Sequence, residues 1–212
     1  MQNLGLQILG QSKHLFVAYK GSAAANLAAT AGASLTVTYT PTAGNLVVAG
    51  IQFSVTPSAV TCKDQNGNAL ALVTNKTFNY LFQGVAVTGA TSYKFSWTTT
   101  SKAAGFVGEY TGVKGVGTNA SGNGSSTAET LSLTTTKTDS FMVCSVGVAA
   151  NVTYTLVTGK AIRIQNTSGT GNNSAIALVD NTTISSGTSL TCATSSATGA
   201  WSVMGVEIYP RQ

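Results

Sequence analysis

The sequence predicts an all-β sandwich, jelly-roll-like or immunoglobulin-like, made by internal duplication from two related halves. Three observations point there. β-Branched and aromatic residues alternate with polar ones along most of the chain, and Gly, Asn, Asp or Ser clusters break these runs every 8 to 14 residues, the pattern of short strands joined by turns. No stretch carries the 3.6-residue apolar period of an amphipathic helix. Finally, the second half of the chain echoes the first at an offset of 96 to 97 residues, the kind of self-similarity that marks a repeated structural unit.

The alternation places a first series of strands at His14–Lys20, Ser34–Thr40, Asn45–Val55, Val60–Lys63, Ala69–Thr74, Thr77–Val87, Ser92–Thr98 and Gly105–Thr111. A second series falls at Glu129–Thr135, Ser140–Ala149, Thr153–Thr158, Ala161–Asn166, Ala175–Asn181, Ser189–Thr194 and Trp201–Tyr209. SLTVTYTPTAGNLVVAG (Ser34–Gly50) matches TLSLTTTKTDSFMVCS (Thr130–Ser145), YLFQGVAVTGATSYKF (Tyr80–Phe95) matches ALVDNTTISSGTSLTC (Ala177–Cys192), and GFVGEY (Gly105–Tyr110) matches SVMGVEIY (Ser202–Tyr209). LVTNK (Leu72–Lys76) and LVTGK (Leu156–Lys160) follow the same order at an offset of 84, which implies residues lost and regained in the second copy.

Residues 1–33 read as an N-terminal arm with one short strand and a small-residue tether, Gly21–Ala33. Residues 34–212 are the sandwich: half one over 34–112, a Gly/Ser/Asn-rich loop over 113–129, and half two over 130–212. Each half offers enough strands for an immunoglobulin-like unit, yet two halves can also interleave into one jelly roll. One continuous double sheet is the expectation.

Charged residues make up 8% of the 212, against about 25% in ordinary soluble domains, so the surface is polar mainly through hydroxyls and amides. Such a surface docks with few charges to desolvate. The net charge of +5 comes from 11 basic and 6 acidic residues, and the lysines, Lys63 and Lys94 among them, are scattered singly. Nucleic-acid binding, which clusters basic residues, is not expected, and no run reaches the ~20 apolar residues of a membrane span. The first residues hold no basic side chain before Lys13 and no apolar core of signal-peptide length, so synthesis in a cytoplasm is expected.

The chemical inventory is thin. His14 is the one histidine, outside both repeats, which argues against a catalytic base or His-based metal site. The acids Asp64, Glu109, Glu129, Asp139, Asp180 and Glu207 are dispersed. Glu109 and Glu207 fall at nearly equivalent positions of the two copies. They form a pair such as glycosidases use only if the fold brings them together; otherwise each is a solvent-facing strand residue. Asp64-Gln65-Asn66-Gly67-Asn68 resembles a calcium loop in its alternating oxygens but lacks the downstream glutamate, and Asn-Gly between strands favours a tight type I′ hairpin. Cys62, Cys144 and Cys192, with no CxxC spacing, read as buried free thiols. Trp97 and Trp201, with the tyrosines, read as core packing, a sugar-stacking platform being the alternative. The sequons at Asn75, Asn151 and Asn181 are of the kind that frequent Asn, Ser and Thr generate by chance. No catalytic, cofactor-binding or metal site is expected, and the chain is read as non-enzymatic.

GNLVVAGI, TCKDQNGNALALV, GATSYKFSW, AAGFVGEYTGV and AWSVMGVEIYP together resemble Thr/Gly/Ala-rich β-sandwich domains of bacteriophage virion proteins, such as head decoration and tail proteins, and of bacterial surface proteins. The resemblance covers Ser34 to Pro210 and rests on strand-and-turn patterns. It implies a structural virion protein, a capsid decoration or cement protein that stabilises the shell by contacting neighbouring subunits. Its partners would be the major capsid protein or other virion subunits and further copies of itself in a homo-oligomer, with residues 1–33 as a docking arm. The alternative is an adhesin or carbohydrate-binding module on a tail, capsid or cell surface, with host-surface glycans as partners.

Overall fold

The computed structural model describes residues 16–27, 31–137, 139–155, 157–168, 174–181, 189–195 and 198–211, with the backbone alone for 181 and 189–195. Among the described residues there are sixteen strands and no helix. The first eight are β1 (Ala18–Asn26), β2 (Gly32–Thr38), β3 (Leu46–Phe53), β4 (Thr61–Asp64), β5 (Ala71–Lys76), β6 (Asn79–Val85), β7 (Ser92–Ser101) and β8 (Ala103–Thr111). The second eight are β9 (Val113–Gly124), β10 (Ala128–Ser132), β11 (Phe141–Val148), β12 (Tyr154–Thr155), β13 (Lys160–Thr167), β14 (Ala175–Asn181), β15 (Ser189–Ser195) and β16 (Trp201–Pro210).

The duplication is complete at the level of topology. In the first copy a five-stranded antiparallel sheet ordered β1-β8-β3-β6-β5 covers a three-stranded sheet ordered β2-β7-β4; in the second, β9-β16-β11-β14-β13 covers β10-β15-β12. Adding eight to each strand number of the first copy gives the second. Each copy has jelly-roll wiring, with the fifth strand moved to the rim of the larger sheet. Its core lies between its own two sheets: Val37, Ile51, Phe53, Phe82, Phe95 and Trp97 in the first copy, Leu131, Met142, Val146, Tyr154, Val179 and Trp201 in the second.

The expectation of one continuous double sheet is corrected here, because every strand pairing lies within one copy. Eight strands suffice to close a sandwich locally, so no strand has to be exchanged. What a copy cannot bury alone is the outer face of its five-stranded sheet. The two copies bury these faces against each other in a third core, with Leu46, Val48, Leu81, Phe106 and Tyr110 from the first and Val143, Ile176, Leu178, Met204 and Ile208 from the second. The molecule is thus a four-layer stack of three, five, five and three strands. β1 packs against β13 and β5 against β9, contacts that a twofold rotation exchanging the copies would interconvert. Burial on both faces explains why β3, LVVAGIQF, and β11, FMVCSVGV, are apolar apart from Gln52 and Ser145.

Three further expectations change. The tether Gly21–Ala33 and the loop 113–129 are, over most of β1 and all of β9, the equivalent first strands of the two copies, each paired with the last strand of its copy. Their small residues are there for close approach: a Cβ on Gly117 would sit 2.2 Å from Glu207 Oε2, and one on Gly124 2.4 Å from the Trp201 ring. The match between LVTNK and LVTGK is fortuitous, since Leu72–Lys76 lies in β5 whereas, in the second motif, the described residues 157–160 lead into β13, the counterpart of β5. Residues 1–15 of the expected arm, including His14, lie outside the described residues.

Polar groups lock the copies together inside the third core. Asn79 donates through Nδ2 to the carbonyls of Ser145 (3.3 Å) and Ser202 (3.2 Å), and Ser145 Oγ donates to Asn79 Oδ1 (3.0 Å). Toward the opposite end of β3, where Tyr110 lies, Arg163 of the second copy donates to buried Asp180 (Nε to Oδ2, 2.6 Å) and lies 4.6 Å from the ring centroid of Tyr19 of the first. Tyr110 donates to the same Asp180 oxygen across the interface at 3.3 Å.

Candidate functional site

The two glutamates singled out by the repeat are equivalent in register: Glu109 stands opposite Val47 and Glu207 opposite Met142. They are neither paired with each other nor solvent-facing. Each is buried (3% and 0% exposed), and each pins the loop between the second and third strands of its own copy. Glu109 accepts from Tyr39 Oη (2.8 Å), Thr42 N (3.0 Å) and Asn45 Nδ2 (2.5 Å). Glu207 accepts from the backbone N–H groups of Thr118 (3.1 Å), Thr136 (2.8 Å) and Lys137 (2.9 Å), and from the hydroxyls of Thr118, Thr136 and Ser140. Burial alone would raise the pKa of Glu207, but the bonds from Ser140, Lys137, Thr136 and Thr118 outweigh it and hold it at about 2. Glu109 is lowered by the same balance. Carboxylates saturated in this way are loop anchors.

Asp64, like Asp180, is also committed to structure. Asp64 accepts from Asn66 N (2.9 Å), Asn68 N (2.8 Å) and Asn68 Nδ2 (2.9 Å). Gly67 donates to the Asp64 carbonyl at 3.1 Å and takes φ +89°, while Asn66 keeps a negative φ. The turn is therefore tight, as expected, but it is a type I turn followed by a left-handed glycine and not the type I′ form. Glu129 is a buried residue of β10, and Asp139 takes φ +57° in a turn. Among the described residues no three His, Cys, Asp or Glu side chains converge.

Cys62 and Cys144 are buried, as expected, the Cys62 thiol pushed well up by burial and by nearby Asp64; the side chain of Cys192 lies outside the described residues. Trp97 packs edge-on against Phe53 at 4.8 Å, and Trp201 closes the second core while donating to Ser126 Oγ at 3.3 Å. Of the large exposed apolar side chains, Phe16, Val55, Leu72 and Val85, one is aromatic.

The candidate site is a feature that the sequence did not single out. The outer face of β2-β7-β4 holds an open depression of about 470 Å³ lined by Thr36, Thr61, Lys63, Lys94 and Ser96, with the Asp64–Gly67 turn as one wall. Strand alternation makes this lining: Leu35, Val37, Cys62, Phe95 and Trp97 point into the core, so the residues between them face out. Lys63 and Lys94 stand directly opposite each other on β4 and β7. Gln65 braces the wall by accepting from Thr91 N (2.9 Å) and Ser92 N (3.1 Å).

No protein-family model, curated protein or solved structure matches the chain.

Proposed function

We propose that the chain is a non-enzymatic structural virion protein, a capsid decoration or cement protein that stabilises a shell by bridging neighbouring subunits. The observation that carries this reading is the four-layer stack, in which two exposed three-stranded sheets point in opposite directions from an interface locked by a third core. A rigid body with two outward faces, poor in charge and rich in hydroxyls, is suited to joining two partners without a large desolvation penalty. The commitment of Glu109, Glu207, Asp64 and Asp180 to loops, a turn and the Arg163 pair supports a structural role over a catalytic one.

The test is addition of the purified chain to expanded heads of the phage that encodes it. Stoichiometric binding with a raised capsid melting temperature is expected. A chain that stays monomeric and ignores assembled heads would overturn the proposal. The rival reading, a carbohydrate-binding module, is favoured by the depression on the first sandwich.

A further inference from the structure

Lys63 and Lys94 occupy positions where like charges weaken an antiparallel pair. Both are exposed, in a strand setting that many uncharged residues would fill. Neither has an ion-pair partner: among the described residues the one salt bridge is Arg163–Asp180. The acid nearest in sequence, Asp64, is buried and spends its oxygens on the turn. The arrangement therefore presents net positive charge in a depression whose volume falls in the range of small-ligand sites. The second copy keeps the topology but not the charge, since β10 (AETLS), β12 (YT) and β15 (SLTCATS) contain no Lys or Arg. The lysine pair is thus no requirement of the fold.

The rest of the lining identifies the ligand chemistry. No aromatic ring borders the depression, so stacking of nucleobases or of neutral sugar rings has no partner there. Extended peptides dock by adding a strand at a sheet edge or by filling apolar pockets, whereas this site lies on the face of a sheet and is floored by the hydroxyls of Thr36, Thr61 and Ser96. Two ammonium groups beside one buried carboxylate leave a single net positive charge, which suits a sparsely charged chain better than a polysulfated one. We propose that this face binds an acidic oligosaccharide, Lys63 and Lys94 holding a uronate carboxylate and the Ser and Thr hydroxyls bonding to sugar hydroxyls. The site goes beyond the capsid-bridging reading and does not depend on it.

Titration calorimetry of the full chain with hyaluronan hexasaccharide tests the assignment, alongside maltohexaose, heparin hexasaccharide and poly-glutamate. Binding of the hyaluronan fragment is expected, weakened about tenfold between about 20 mM and about 200 mM salt. The K63A/K94A variant should lose it by about tenfold or more, while K63R/K94R stays within a few-fold because it keeps the charge. K160A, on the second copy, should bind as the parent does. Urea midpoints of K63A/K94A should be unchanged or raised, since the substitution removes a repulsion, so lost binding would not reflect unfolding. Absent or salt-insensitive hyaluronan binding, equal binding of maltohexaose, or indifference to K63A/K94A would overturn the site. Preference for heparin would overturn the carboxylate assignment, and preference for poly-glutamate the saccharide. Phage heads do not enter this assay, so its failure leaves the bridging proposal standing.

Discussion

Replacing Glu207 by Gln isolates the strongest electrostatic anchor in the fold. The substitution keeps the shape but turns one acceptor into an NH2 donor, which faces donors on every side: Thr118, Thr136 and Lys137 through their backbones and Ser140 through its hydroxyl. A displacement from 4.5 to about 2 corresponds to roughly 3 kcal/mol of folding stability at neutral pH. The folded-state value lies below the unfolded one, so this contribution is fully present above about pH 4.5 and is lost as pH falls toward 2. Urea denaturation of E207Q at pH 7 should show a loss of roughly 2–3 kcal/mol. Between about pH 4.5 and 2 its stability should fall less steeply than that of the parent, with Glu109 supplying part of the remaining slope. An E207Q protein with the parent's midpoint at pH 7, or with the parent's full acid slope, would refute the anchor role.

Two other perturbations probe the interface between the copies. In G147A the new Cβ would lie 2.1 Å from Gln52 Oε1 and 2.8 Å from Asn79 Nδ2, which forces the Asn79 bonds apart; a loss of about 2 kcal/mol or more is expected, read as a melting temperature lower by about 4–8 °C. R163A removes the cation paired with buried Asp180 and should lose about 3 kcal/mol, with part regained in R163A/D180N. The R163A deficit should narrow as pH falls through the carboxylate range, because burial favours the protonated form of Asp180 and the folded state then takes up a proton.

The strands with large alternating side chains were legible in the sequence. β3, β11, β14 and β16 follow the expected runs within a few residues, because short runs rich in apolar and β-branched residues and bounded by turn signals have few other uses. The repeat was legible too, and it located Glu109 and Glu207 as counterparts. Their burial was not, since the donors that make it tolerable come from loops with no pattern of their own. β9 and most of β1 escaped detection because an edge strand lying against Trp201, Glu207 and Tyr39 must be made of small residues, and a run of Gly, Ala, Ser and Asn is also what a linker looks like. The lysine pair was hidden for a topological reason. Lys63 and Lys94 look like isolated charges along the chain, and only the antiparallel docking of β4 on β7 sets them face to face.

The interface also explains why the two copies belong to one chain. By register with the equivalent glutamates, Gln52 is the counterpart of Gly147, and Gly50 that of Ser145. Across the interface these same positions meet: Gln52 fills the space above Gly147, and a Cβ on Gly50 would lie 2.7 Å from Ser145 Oγ. Large faces small at positions that a twofold axis would make identical. Two first copies docked in the same way would set Gln52 against Gln52 with no room for either, and two second copies would set Gly147 against Gly147, with Ile176 in place of Asn79 and no side-chain amide to bond across. The contact is therefore specific for one copy of each kind, and the close-packed interior enforces it. Freed from having to match, the outer sheets are open to diverge, as the lysines present on the first and absent from the second illustrate.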